Sequence, residues 1–224
     1  SKINRDLGFR VPQAPEYRMR RMMIDMSDYD ILFNKAKEFH GHVCPGIVLG
    51  TRLTIAGLRE LGINPHEPIR NLIVYMEIDR CGTDAVQAIT GCSLGHRSLK
   101  HKDFGKFAAT FVDTKTDKAI RVSVHEKNRA AHDKLDPKEV INVLSKVPEE
   151  EILKIEHVRV TIPREDLPGF PVGKSVCSRC GEQISDNRYT VVNGNMLCRN
   201  CAGESYYTII ERPGENIRSQ KGIS

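Results

Sequence analysis

The chain has 224 residues, 39% of them hydrophobic and 28% charged, with a net charge of +5. That balance is ordinary for a soluble globular protein able to bury a proper core, and it is too weakly basic to argue for a nucleic-acid or anionic-surface binder. No apolar run approaches the roughly 20 residues needed to span a bilayer.

Seven cysteines are an odd number, and four stand as two Cys-x-x-Cys pairs. This usage points to metal and thiol chemistry in a reducing compartment rather than to a disulfide framework. The N-terminal stretch breaks at Pro12 and Pro15 and carries Arg18, Arg20 and Arg21, which leaves no signal-peptide core. A cytoplasmic protein with no membrane contact is expected.

Residues 1–26, with six Lys/Arg against three Asp/Glu and no periodicity, read as a solvated arm. A first helix follows: Ser27 and Asp30 fit N-cap and N3, and Tyr29, Leu32, Phe33, Ala36 and Phe39 recur at helical spacing until Gly41. Pro45 then suits the first position of a second helix, which Ile47, Leu49, Leu53 and Leu58 carry to about residue 61. Between the two lies His40-Gly41-His42-Val43-Cys44, two imidazoles and a thiol within five residues. Cys44 falls at the N-cap of the second helix, where unpaired amides and the helix dipole favour an anion, so its thiol is expected to ionise readily. His42 is placed to share an ion with it or to act as its base. His40, four residues after Ala36, faces the core if Ala36 does.

Leu72, Val74, Met76 and Ile78 alternate with Ile73, Tyr75, Glu77 and Asp79, a strand pattern. Cys81 follows at once, and Gly82 or Thr83 can cap a short helix through Ala85, Val86, Ala88 and Ile89 that ends at Gly91. If the strand end lies against the first corner, His42, Cys44 and Cys81 form a three-ligand soft site with an open position, suited to zinc, iron, nickel or cobalt. Asp79 and Asp84 are then carboxylate partners for the ligands, or a general base. Cys92 sits at the far end of that helix, roughly 12 Å from Cys81 at about 1.5 Å per residue, too far to share one ion within a chain. It is a buried structural thiol, a far wall of the pocket, or a group that meets the site across a dimer. The catalytic candidates are therefore His42, Cys44, Cys81, Asp84 and Cys92, the first three also as ligands of a second metal.

His96, Arg97, Lys100, His101 and Lys102 form a cationic run, read as a solvated loop that would favour an anionic substrate if it borders the pocket. A hairpin is expected from the alternations Phe107-Ala109-Phe111 and Ile120-Val122-Val124. Asp136-Pro137-Lys138-Glu139 opens a helix with a capping box, and Val158, Val160 and Ile162 make a last strand. Without a regular βαβ alternation these elements describe an α+β core with a mixed or antiparallel sheet packed against helices.

His40-Gly41-His42-Val43-Cys44-Pro45-Gly46, then Glu77-Ile78-Asp79-Arg80-Cys81-Gly82-Thr83-Asp84-Ala85-Val86-Gln87 and Thr90-Gly91-Cys92-Ser93-Leu94-Gly95, resemble the FmdE family of formylmethanofuran dehydrogenase components over roughly residues 27–160. The resemblance implies an α+β core, an intertwined homodimer in some members, whose partner the arm would wrap, and an added C-terminal zinc finger in others. His96-Arg97-Ser98 stands where the family often has Lys-Gly-Asn, so any role of that lysine is not carried over.

Residues 163–175 contain Pro163, Pro168, Gly169, Pro171 and Gly173 and read as a linker after a 27–162 core domain. Cys177-Ser178-Arg179-Cys180, seventeen residues, then Cys198-Arg199-Asn200-Cys201 has the spacing of a tetrahedral four-cysteine zinc site. Asn193-Gly194 supplies a tight hairpin turn between the pairs, and Cys201 opens a helix expected to run through Tyr206, Tyr207, Ile209 and Ile210. A knuckle, a hairpin and a ligand pair at a helix start resemble a treble-clef finger, residues 176–211, followed by a 212–224 tail. From Pro171 onward seven Lys/Arg face five Asp/Glu, a weak electrostatic footprint for nucleic acid, so the finger is expected to be structural or to touch a protein partner.

Two functions follow. One is a metal-binding core with a small-molecule substrate, an accessory or free-standing enzyme that the resemblance links to one-carbon or methanofuran metabolism. These residues hold no ferredoxin cysteine run and no pterin apparatus, so they could not by themselves reduce carbon dioxide or oxidise formylmethanofuran. The other is a metal sensor or regulator whose finger contacts nucleic acid or a protein partner.

Overall fold

Residues 26–125 and 135–211 are described in the computed structural model; the expected arm, but for Met26, and the 212–224 tail lie outside them. The chain divides into two compact units between Ile162 and Pro163.

The first unit opens with α1 (Met26–His40), which starts before Ser27, so that residue is inside the helix and not its cap. Leu32 and Ala36 are fully buried, but Phe39 is 56% exposed. The inward stripe runs from Ala36 to His40, its i+4 neighbour, and leaves Phe39 outside. Gly41, at φ +88°, ends the helix. After the Cys44 corner, α2 (Pro45–Leu61) runs through the centre of the core, with Ile47, Val48, Leu53, Ala56 and Leu58 fully buried.

A five-stranded sheet lies against these helices in the order β2-β1-β3-β4-β5. Its strands are β1 (Leu72–Met76), β2 (Leu99–His101), β3 (Ala108–Asp113), β4 (Lys118–Val124) and β5 (Leu153–Val158). β1 and β2 are parallel, joined through α3 (Cys81–Thr90), and the other pairings are antiparallel. The run read as a cationic loop thus holds an edge strand: Leu99 is buried while Lys100 and His101 are partly or fully exposed. Charged residues at a sheet edge are a usual device against further pairing, and here they hid the strand.

All five β1 residues are buried, which alternation alone did not foretell. Leu72, Val74 and Met76 face the helices, while Ile73 and Tyr75 join Val112 and Ala119 in a second cluster. Val158, Val160 and Ile162 pack on that cluster; the last strand ends at Val158 and lies earlier than its expected place. On the sheet, Arg121 donates to both carboxylate oxygens of Glu77 (2.7 and 2.8 Å) and to Glu156 at 3.1 Å.

The capping box forms as read, at the start of α4 (Pro137–Lys146): the Asp136 carboxylate accepts from Lys138 N and Glu139 N, and Asp136 N donates to Glu139. Arg52 on α2 donates to the Leu144 carbonyl, and Arg59 holds Glu149 of the short α5 (Glu149–Ile152) with two bonds of 2.7 and 2.9 Å. Asp136→Ala should lower stability by about 1 kcal/mol, read as a lower urea midpoint at unchanged m-value.

The second unit is two hairpins and a helical turn. β6 (Lys174–Val176) pairs with β7 (Gln183–Ser185), a hairpin absent from the sequence reading, and β8 (Tyr189–Val192) pairs with β9 (Asn195–Cys198). Asn193 and Gly194 both have positive φ, +50° and +78°, as a type I′ turn requires. β6 begins inside the stretch read as linker, and just before it Val172 N donates to the Asp186 carboxylate. The helix expected from Cys201 is one turn, Asn200–Glu204; Gly203 at φ +112° breaks it, and Tyr206 and Ile210 are more than nine-tenths exposed. Among the described residues no helix is long and apolar enough to cross a membrane.

Candidate metal centre

Two helix starts and one helix end meet at the core site. Cys44 is the N-cap of α2, in extended backbone, and its Sγ accepts from Ile47 N at 3.3 Å. Cys81 is the first residue of α3, whose N-cap is Arg80; neither Gly82 nor Thr83 serves as the cap, and the Thr83 hydroxyl donates back to the Ile78 carbonyl. The two starts come together because α2 presents glycine where α3 crosses it. A Cβ on Gly50 would lie 2.5 Å from the Gly82 Cα, and one on Gly46 would lie 2.9 Å from the Cys81 Cβ. Larger residues at either position would hold the two thiols apart.

His40, the last residue of α1, supplies the third group. Its Nδ1–H donates to Asp84 Oδ2 at 2.7 Å, and its Nε2 points at Cys44 Sγ, 3.6 Å away. A carboxylate on one ring nitrogen fixes the proton there and leaves the other lone pair free for an ion. The His42 ring lies beside that of His40, with centroids 4.3 Å apart, and ligand atoms of His40, His42 and Cys44 all fall within 4.8 Å of one another. Cys81 joins through Cys44, its thiol neighbour. Burial, and after it the Cys44 thiol, push the Cys81 pKa up, the reverse of what its place at a helix start implied.

His42, Cys44, Cys81 and Asp84 are thus brought together, and His40, left open by the sequence, is the residue that links them. The signal for it was its spacing, four residues after Ala36 and four before Cys44. Cys92 is elsewhere: it is 4% exposed, its Sγ donates to the Leu72 carbonyl, and burial raises its pKa. Asp79 is exposed at the turn before α3. Two thiols and two imidazoles are a borderline-soft donor set that fits zinc or a neighbouring transition metal.

In the second unit the sulfurs of Cys177, Cys180, Cys198 and Cys201 lie within 4.8 Å of one another. Cys198 N donates to Cys177 Sγ and Cys201 N to Cys198 Sγ. Backbone N–H groups of Cys180 and Cys198 hold the Cys177 thiol at about 6, while the neighbouring Cys198 thiol pushes Cys201 up to about 12. Four thiols at these spacings make a closed structural zinc site, with no position left for a substrate.

The comparisons with known proteins divide the chain in the same order. Residues 39–163 match the family described as FmdE, molybdenum formylmethanofuran dehydrogenase operon, and residues 170–207 match the prokaryotic dksA/traR C4-type zinc finger. A curated protein of Archaeoglobus fulgidus, named a probable S-adenosyl-L-methionine-binding protein, is 31% identical over 93% of this chain; the chain spans only 60% of that relative's length. The solved structure of an FmdE-like protein of the tungsten formylmethanofuran dehydrogenase type, from Syntrophus aciditrophicus, is similar with a TM-score of 0.58. At 24% identity, over 80% of this chain and 95% of that one, it shows a shared fold. With its core matched by the family from the first histidine of the site to the end of the sheet, and a C4 finger behind it, the chain belongs to the FmdE family.

Proposed function

We propose that the core pocket binds a transition metal through His40, His42, Cys44 and Cys81 and acts on a small molecule, as an accessory or free-standing enzyme of one-carbon or methanofuran-linked metabolism in the reducing cytoplasm. The observation that carries this reading is the Asp84–His40 pair, whose free nitrogen faces Cys44. Such a carboxylate–imidazole pair orients a ligand and raises its basicity. A bound ion would supply Lewis-acid activation of a substrate oxygen or of water. Asp84 holds the His40 proton at Nδ1, and Cys44 and Cys81 bring negative charge.

Elemental analysis of protein purified without added metal tests this. Wild type should carry about two metal equivalents per chain, Cys44→Ser should lose the core ion, and Cys177→Ser should lose the finger zinc. A single zinc, lost only in Cys177→Ser, would leave the core metal-free and end the proposal. Asp84→Asn should weaken core-metal affinity by about 10- to 100-fold in a competition titration, with the finger unaffected. The name of the Archaeoglobus relative makes S-adenosyl-L-methionine the first small molecule to titrate. Saturable binding lost in Cys44→Ser would place it in this pocket.

The regulatory reading is less well supported. Arg179 donates to the Cys201 carbonyl, and Arg188 and Arg199 lie 3.6 Å from Asp166 and Glu204. The arginines best placed to meet phosphates are engaged within their own unit. Binding to DNA or RNA that weakens steeply with salt would restore that reading. A homodimer belongs to the proposal as well, and light scattering would show it as twice the 25.3 kDa chain mass.

A further inference from the structure

The volume over Gly46 is bordered by two sulfurs. A Cβ built there would lie 3.2 Å from Cys81 Sγ and 3.7 Å from Cys44 Sγ, so no side chain separates the thiols. Each is partly exposed, which gives a small oxidant access. Both are carried on helix starts fixed by the Gly50–Gly82 contact, so they meet without any movement of the chain around them. Cys92 is the internal contrast, buried under the sheet with its thiol on the Leu72 carbonyl.

We infer that Cys44 and Cys81 form a reversible dithiol–disulfide pair, and that its oxidation empties the core metal pocket. With a glutathione-type disulfide as oxidant, the sulfur of one cysteine attacks a sulfur of the oxidant, giving a mixed disulfide and one released thiolate. The second cysteine attacks the first cysteine's sulfur and releases the second thiolate. The two protons of the protein thiols pass to the released thiolates, and two electrons move from protein to oxidant. The product has two sulfur donors fewer for an ion, since a disulfide sulfur is a poor ligand beside a thiolate. The dithiol part stands on the sulfur geometry alone; the emptying of the pocket rests on the proposed core metal.

The test uses the full chain, both as purified and after removal of metal by a chelator, so that a bound ion cannot mask reactive thiols. Each sample is incubated with oxidised glutathione, blocked with N-ethylmaleimide and cut with trypsin. Cleavage after Lys37, Arg52, Arg80 and Arg97 puts Cys44 on peptide 38–52 and Cys81 with Cys92 on peptide 81–97. The expected result is a 38–52/81–97 species with Cys81 in the bridge and Cys92 alkylated. It should persist in Cys92→Ser, vanish in Cys44→Ser and revert with dithiothreitol. In the sample as purified, about one metal equivalent should leave with it. Alkylation of both Cys44 and Cys81 after excess oxidant, glutathione retained on Cys44, or a bridge to Cys92 would each overturn the inference. Metal content of the reduced protein is measured separately. A bridge in a protein whose reduced core binds no metal sinks the metal reading and keeps the dithiol; an ion in the core with no bridge sinks the dithiol alone.

Discussion

Stripping zinc with a strong chelator should unfold the second unit and leave the first folded. The apolar interior of that unit is Cys177, Ile184 and Leu197, with Tyr189, Cys198, Cys201 and Ala202 around them, and three of those seven side chains are themselves zinc ligands. Meanwhile Phe170, Val176, Val191, Tyr206 and Ile210 are more than half exposed. Units of about 40 residues seldom bury enough surface to fold unaided, and a structural zinc contributes roughly 10–16 kcal/mol. In an amide NMR spectrum, signals from residues 174–204 should collapse to random-coil positions while those of β1 and β3 keep their dispersion. Cys177→Ser should give the same spectrum without chelator. Finger signals that stay dispersed in zinc-free protein would show that these hairpins fold without the ion.

Gly50→Ala should cost about 1–3 kcal/mol and weaken the core metal site together with the fold. The added methyl would lie 2.5 Å from the Gly82 Cα and 3.1 Å from its carbonyl oxygen, so no rotamer change on α3 can relieve it. α2 and α3 must move apart, and Cys44 and Cys81 ride on the ends that move. The comparison is Gly46→Ala, whose methyl would meet the Cys81 side chain at 2.9 Å and not a backbone atom. That variant should disturb the site more than the fold. Thermal melts paired with metal titrations separate the two effects. A Gly50→Ala protein with unchanged melting and unchanged metal affinity would mean that this helix contact does not position the thiols.

What could be read from the sequence was what short-range chemistry decides. Asp136, Pro137 and Glu139 form the box that their spacing implies, Asn193-Gly194 makes its turn, and Cys44-Pro45 starts its helix. The four finger cysteines converge at one point. What stayed hidden depends on partners distant in sequence. β2 is three residues long and two of them are polar; it is a strand because β1 lies beside it. β1 is buried on both faces because Val158, Val160 and Ile162 cover the side away from the helices. His40 outranks Phe39 for the inner face because Asp84, forty-four residues later, receives its proton. The helix after Cys201 was overextended for a local reason: Gly203 stops it, and the exposed Tyr206 and Ile210 have no surface to cover.

The pairing pattern also governs how the chain reaches this structure. In the second unit both hairpins are local: Lys174 meets Ser185, and Val192 meets Asn195. In the first, Leu72 must find Asp113 and Val124 must find Leu153, and β1 must also accept a parallel neighbour from beyond α3. Loop closure over such separations slows the search, and parallel pairing slows it further. The core should therefore set the pace of folding. Added zinc should quicken only the appearance of the finger, and stopped-flow refolding with and without the ion should show one slow phase that the ion leaves alone.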